Sequence, residues 1–274
     1  MLTTADSYAP PAMNDVDVAI EVVAAGGDVV RRRFGTDSER IDKGSGDFAT
    51  AADIEAETAM LAILRRRRPG DAVHGEELGR SGPLDSSRTW LIDPLCGTVN
   101  YAAGMPVVAV NAALRTAAVA VVAAVAEPFS AQIFWTDGES AHMRADGLDR
   151  PLAPTADSAL VDLNLDPPFP NAQTFRAVTL AADADFIARF KPRVVSTSLA
   201  LTWVATGQRA AYITDGDTRD SVHFAAGLAI CNAAGCRISD LHGGPWDQAS
   251  RGLIVAPDDD THATLVRLIA RRKP

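Results

Sequence analysis

The chain has 274 residues, 47% hydrophobic and 22% charged, with a formal net charge of −9. This is the composition of a globular protein, enough for one large domain or two modest ones, and it excludes a disordered tail, a collagen-like fibre and a small disulfide-stapled scaffold. An acidic chain gains nothing from counterion release on a phosphate backbone, so no nucleic-acid partner is expected; three cysteines, an odd number, suggest free thiols in a reducing compartment.

The N-terminal stretch MLTTADSYAPPAMND has no basic start followed by an apolar core, so no secretory signal is expected. A first helix is predicted over residues 15–34, capped by Asn14. A second is predicted from Thr50, where Thr50 and Asp53 have capping-box spacing, and Pro69 stops it. Arg65 to Arg68 close that helix, where cations complement the negative dipole end, and read as a solvated last turn. Strands are predicted over 89–93, 107–114, 117–126 and 131–135. The most apolar of them, 117–126, falls far short of the roughly 20 residues a membrane helix needs, so a cytoplasmic protein with no membrane partner is expected.

From about residue 156 short strands alternate with helices: a helix over 198–206, a strand over 210–214, a helix over 222–234 and a last helix after Asp260. Sheet and helix layers of this kind predict an α/β or α+β sandwich. Its expected division is an N-terminal α+β part over 1–155 and a C-terminal α/β part over 156–274.

The densest chemistry lies in Trp90-Leu-Ile-Asp-Pro-Leu-Cys-Gly-Thr-Val-Asn-Tyr101. An apolar strand ends in an acid, Pro94 and Gly97 force a turn, and Thr98 and Asn100 follow with polar side chains. Such strand ends are where α/β proteins place ligands. Upstream lie His74-Gly-Glu-Glu77 and, earlier, Lys43-Gly-Ser-Gly-Asp-Phe-Ala-Thr-Ala-Ala-Asp53.

These segments together resemble the inositol monophosphatase family, magnesium-dependent, lithium-sensitive phosphatases of inositol and sugar phosphates. Lys43 precedes the matched Asp47, Thr50 and Asp53; Gly75, Glu76 and Glu77 match the family's Gly-Glu-Glu; Trp90 to Tyr101 match its signature at all but one position; Gly104 and Pro106, then Ala225-Ala226-Gly227, follow in order. The resemblance implies a layered αβαβα sandwich with mixed sheets, usually a homodimer, acting on a small molecule. It implies metal ligation by Glu76, Asp93 and the Leu95 carbonyl, and water orientation by Thr98 with Glu76. It places Lys43, Gly97, Asp215, Asp217 and Arg219 on the substrate side.

Two departures fall on the implied metal ligands. Cys96 stands at the second signature Asp, and Val222-His223 replaces the family's Trp-Asp pair. Thiolate and imidazole suit magnesium poorly. The leading expectation is therefore a metal-free centre in which Cys96 is the nucleophile, His223 its base and Asp93 the orienting carboxylate, for acyl transfer or hydrolysis of an ester or thioester in specialised biosynthesis. One alternative is a metal-dependent phosphomonoesterase using Glu76, Asp93 and Leu95. A second gives Glu76, Asp93, Cys96 and His223 to zinc or iron. A third is a noncatalytic homologue. Cys231 and Cys236 read as core packing, and His74, His142, His242 and His262 as surface or turn residues.

Overall fold

The computed structural model describes residues 13–36, 40–44, 47–117, 119–165, 175–218, 221–247 and 250–272, without the side chain of Asp217. In chain order the elements are α1 (Asp15–Arg33), β1 (Arg40–Gly44), β2 (Asp47–Thr50), α2 (Ala51–Arg67), β3 (Ala72–Gly75), β4 (Arg80–Ser81), β5 (Arg88–Cys96), α3 (Thr98–Ala102), β6 (Ala109–Thr116), β7 (Val119–Glu127), β8 (Gln132–Thr136), β9 (Ala141–Ala145), β10 (Leu148–Pro151) and β11 (Leu160–Asn164). After a 3₁₀ turn at Ala177–Ala182 come α4 (Ala184–Arg189), β12 (Lys191–Val194), α5 (Leu199–Ala205), β13 (Ala211–Asp217), α6 (Val222–Ala233), β14 (Arg237–Ser239), β15 (Arg251–Ala256) and α7 (Asp259–Ala270).

Both predicted helix starts form as their caps dictate. The Asn14 side chain accepts from the Asp17 N–H at 2.8 Å, and the Asp53 carboxylate accepts from the Thr50 N–H and hydroxyl at 2.8 and 2.6 Å. The basic end of α2 is more engaged than a solvated turn. Arg66 and Arg67 pair with Glu21, and Arg68 with Asp15, so the run ties α2 to α1.

An eight-stranded sheet has the order β10-β9-β8-β7-β6-β5-β3-β4 and is antiparallel except for β3–β5; a five-stranded sheet has the order β12-β11-β13-β15-β14 and is mixed. Period-2 alternation sorts their residues into layers. On β6, Val110, Ala112 and Leu114 join α1 and α2 in one core, while Ala109 and Ala113 join α5 and α6 in a second. Tyr212, Leu253 and Val255 of the smaller sheet close the second core from the other side; Ile213 and Ile254 face a third, with α4 and α7. The layers run αβαβα, with α5 and α6 between the sheets. No helix of the described residues is long and apolar enough to cross a membrane.

α6 approaches α5 closely at Gly227. A Cβ at Gly227 would stand 2.6 Å from Leu201 Cδ1 and 2.9 Å from Leu201 Cβ on α5. Gly227→Ala is expected to cost about 1–2 kcal/mol net, overpacking outweighing the gain in helix propensity. Urea unfolding reads this directly: an unchanged midpoint would show that α5 and α6 separate without strain.

Candidate active site

The site forms where β5 leaves its ladder. Pairing shifts between Asp93↔Asn111 and Cys96↔Ala109, so three steps on β5 match two on β6. Pro94, which cannot donate to a ladder, sits in this bulge. In a regular strand, residues 93 and 96 would face opposite sides; the extra residue turns both toward the middle layer, where α6 begins. Ser221 caps α6 through the His223 N–H at 3.3 Å, and the first turn delivers His223 to the same point.

Asp93, Cys96 and His223 meet there, with one ligand-type atom of each within 4.8 Å of the others. His223 Nδ1 lies 2.7 Å from Oδ2 of the fully buried Asp93 and 3.8 Å from Glu76 Oε2. Asp93 Oδ1 accepts from the Leu95 N–H at 3.1 Å, and Oδ2 from the Asn111 amide at 3.3 Å. The Asn111 carbonyl accepts from the Ser198 hydroxyl at 2.9 Å, and the Ser198 N–H donates to Cys96 Sγ at 3.2 Å. Thr98 Oγ1 lies 3.1 Å from both Asp53 Oδ1 and the Leu95 carbonyl oxygen, either of which accepts its hydrogen.

Burial opposes a charge on His223, but the Asp93 carboxylate outweighs it and holds the imidazole pKa well above its ordinary value. Burial would raise Asp93; the His223 charge and hydrogen bond hold it low instead. Burial, helped by the Asp93 charge, pushes the Cys96 thiol up against hydrogen bonds from His223 and Ser198. This direction runs against the activated thiolate expected from the sequence. Alkylation of metal-free protein by iodoacetamide at neutral pH is accordingly expected to proceed more slowly at Cys96 than at a free cysteine. Peptide mapping checks this, and preferential labelling at Cys96 would overturn it.

Acids crowd the near side. Glu76 is pushed up to about 9, first by burial and then by the charge of Asp93, and its buried Oε2 has no hydrogen-bond partner. Lys43 Nζ reaches Glu76 Oε1 at 3.0 Å and Glu77 Oε1 at 2.6 Å, and these two acids keep its pKa raised despite burial. Beneath them Glu57 accepts from the N–H groups of Glu77 and Leu78 at 2.7 and 2.9 Å. A Cβ at position 75 would lie 1.9 Å from Glu57 Oε1, which is why glycine stands there. Five carboxyl groups, Asp53, Glu57, Glu76, Glu77 and Asp93, thus share their surroundings with Lys43 and His223.

The structure brings Lys43, Glu76, Asp93, Leu95, Cys96, Thr98 and His223 together. Gly97 closes the turn at φ +108, where a Cβ would lie 3.1 Å from the Ser196 and Val107 carbonyl oxygens. Asp215, expected on the substrate side, is 1% exposed and paired with Arg176 at 2.9 Å. Arg219 and the Asp217 side chain lie outside the described residues. His262, expected at the surface, is buried with Nε2 2.6 Å from Ser239 Oγ. Glu57, Asn111 and Ser198 went unread in the sequence. The first two carried a signal, as lone polar residues on an apolar helix face and in an apolar strand; Ser198 carried none, being 102 residues from Cys96 in the chain.

The family model for the inositol monophosphatase family matches residues 13–273. Inositol-1-monophosphatase of Caulobacter vibrioides is 31% identical over 243 residues, spanning 86% of this chain and 93% of the relative. A probable inositol 1-monophosphatase, ImpA, of Mycobacterium tuberculosis is 31% identical over 243 residues, 84% of each chain. Nus factor SuhB of Escherichia coli is 29% identical over 234 residues, 84% of this chain and 86% of that one. Among solved structures, the Thermotoga maritima IMPase superposes with a TM-score of 0.80 at 19% identity, covering 94% of this chain and 98% of its own; the extragenic suppressor protein SuhB of Bartonella henselae gives 0.80 at 22% identity, covering 92% and 97%. The chain belongs to the inositol monophosphatase family.

Proposed function

We propose that the protein is a metal-dependent phosphomonoesterase acting on phosphorylated inositols or related small polyols. The observation that carries this reading is Glu76: a buried carboxylate oxygen without a partner, close to the fully buried Asp93, in a pocket with more acids than cations. Unpaired buried carboxylates are costly unless a cation joins them. Oxygen donors of this kind fit a hard divalent ion, so Glu76, Asp93 and the Leu95 carbonyl oxygen would hold magnesium.

Such an ion supplies charge neutralisation for the phosphoryl group and a more acidic bound water. The protein's own groups do the positioning. Thr98, fixed by Asp53 and the Leu95 carbonyl, would orient the attacking water together with Glu76. Lys43 limits repulsion between the acids and an incoming phosphate. His223, with the first turn of α6 behind it, faces the same anion with a positive imidazolium.

The Cys96 nucleophile reading has weaker support. The three side chains lie together, but burial and the Asp93 charge push the thiol up against the hydrogen bonds from His223 and Ser198, which works against a free thiolate. Phosphate release over a panel of phosphorylated inositols, sugars and glycerol, set against acyl esters and thioesters, separates the two. Release that requires Glu76 is expected; an inert phosphate panel alongside cleaved thioesters would overturn the proposal.

A further inference from the structure

The geometry points to a second metal site in the same pocket, built from Cys96 Sγ, a His223 ring nitrogen and Asp93 Oδ2, for a zinc-class ion rather than magnesium. The inference rests on the phosphomonoesterase reading, taking Asp93 as a carboxylate shared between this ion and the hard-cation position at Glu76; with the second ion bound, the ion's charge takes the place of the His223 imidazolium.

Sulfur, nitrogen and a single carboxylate form a donor set for Zn²⁺, Co²⁺ or Fe²⁺. With zinc bonds of about 2.0–2.3 Å, ligand atoms of a tetrahedral site stand about 3.3–3.8 Å apart. The three present atoms all lie within 4.8 Å of one another, so they need only small side-chain rotations to reach that spacing. The Asp93–His223 contact, 2.7 Å, has to open by about 0.6 Å.

The supporting contacts are those of a ligand shell. The Asn111 amide and the Leu95 N–H orient the Asp93 carboxylate. The Ser198 N–H points at Cys96 Sγ, as backbone donors do toward thiolate ligands, and Asn111 and Ser198 are bonded to each other. The fixed bulge of β5 and the first turn of α6 bring the ligands together, so the site needs no ordering on binding. Binding releases the proton of the thiol and one from the imidazolium to solvent, leaving a thiolate and a neutral imidazole on the ion. No electron is transferred.

The test is a titration of metal-stripped protein with Co²⁺, followed by Zn²⁺ competition, in excess Mg²⁺. A sulfur-to-cobalt charge-transfer band is expected at one ion per chain, displaced by one Zn²⁺. The band should vanish in Cys96→Ser, which keeps Cys231 and Cys236, and affinity should fall at least tenfold in His223→Ala. Absence of the band, or a band unchanged in Cys96→Ser, overturns the site. Circular dichroism of both variants guards against misfolding, and the His223→Ala affinity decides the matter if Cys96→Ser does not fold. Phosphate release measured in parallel keeps the two proposals apart. Turnover with magnesium and no cobalt band sinks this site alone; a cobalt band with no phosphate release under any ion sinks the phosphatase reading alone.

Discussion

Replacing Cys96 and His223 together by aspartate is expected to raise magnesium-supported phosphate release by about 10²-fold or more. The two side chains converge on Asp93 from β5 and α6. Two carboxylates there would turn a sulfur–nitrogen donor set into an all-oxygen one, which a hard cation prefers. The fold should accept the change: Cys96 is partly exposed, the His223 side chain is 42% exposed, and aspartate at position 223 lies in the first turn of α6, where a negative charge is favourable. Either single substitution leaves one soft donor behind and is expected to give a much smaller gain. The measurement is kcat/KM for an inositol phosphate in magnesium and in zinc. If the double variant is no better in magnesium than the wild type, positions 96 and 223 do not set the metal preference.

The opposite change, Glu76→Gln, is expected to reduce phosphate release by about 10³-fold while making the metal-free protein more stable. Its carboxyl is pushed up to about 9 in the fold from an ordinary 4.5, so the folded chain binds a proton that the unfolded chain releases across that window. Stability of the metal-free protein therefore falls as pH rises from 4.5 toward 9. At pH 7 the cost is on the order of 3 kcal/mol. Glutamine cannot ionise, so the melting temperature of Glu76→Gln in chelator should vary less between pH 5 and 8 and exceed that of the wild type at the upper end. Equal pH slopes for the two proteins would show that Glu76 is not a buried acid held for a further cation.

Much of the frame could be read from local patterns, because caps, proline stops and apolar alternation act over a few residues. The helix starts at Asn14 and Thr50, the β5 to β8 run and α5 to α7 all follow from such signals. The short strands β1 to β4 give too few residues for a period to register, β10 is exposed throughout, and β11 and β15 are buried almost throughout, so none of them shows alternation. The meeting of Asp93, Cys96 and His223 was legible only through the family resemblance. Its physical cause, the bulge that puts residues 93 and 96 on one face, lies in how β5 pairs with β6. The Asp215 environment was not legible locally either: β13 carries this acid inward to Arg176. The thiol's surroundings were hidden from the sequence for a related reason. A nearby histidine and helix start suggested activation, whereas burial and the Asp93 charge, both products of the tertiary fold, act the other way.

The central claim is that this pocket works through a bound cation and not through a free thiolate. Phosphate release from an inositol phosphate by chelator-stripped protein, before and after a divalent ion is restored, tests it most directly. No release when stripped and recovery with the ion are expected, with prior iodoacetamide treatment of the stripped protein causing little loss. Turnover that persists in chelator and stops on alkylation of Cys96 would contradict it.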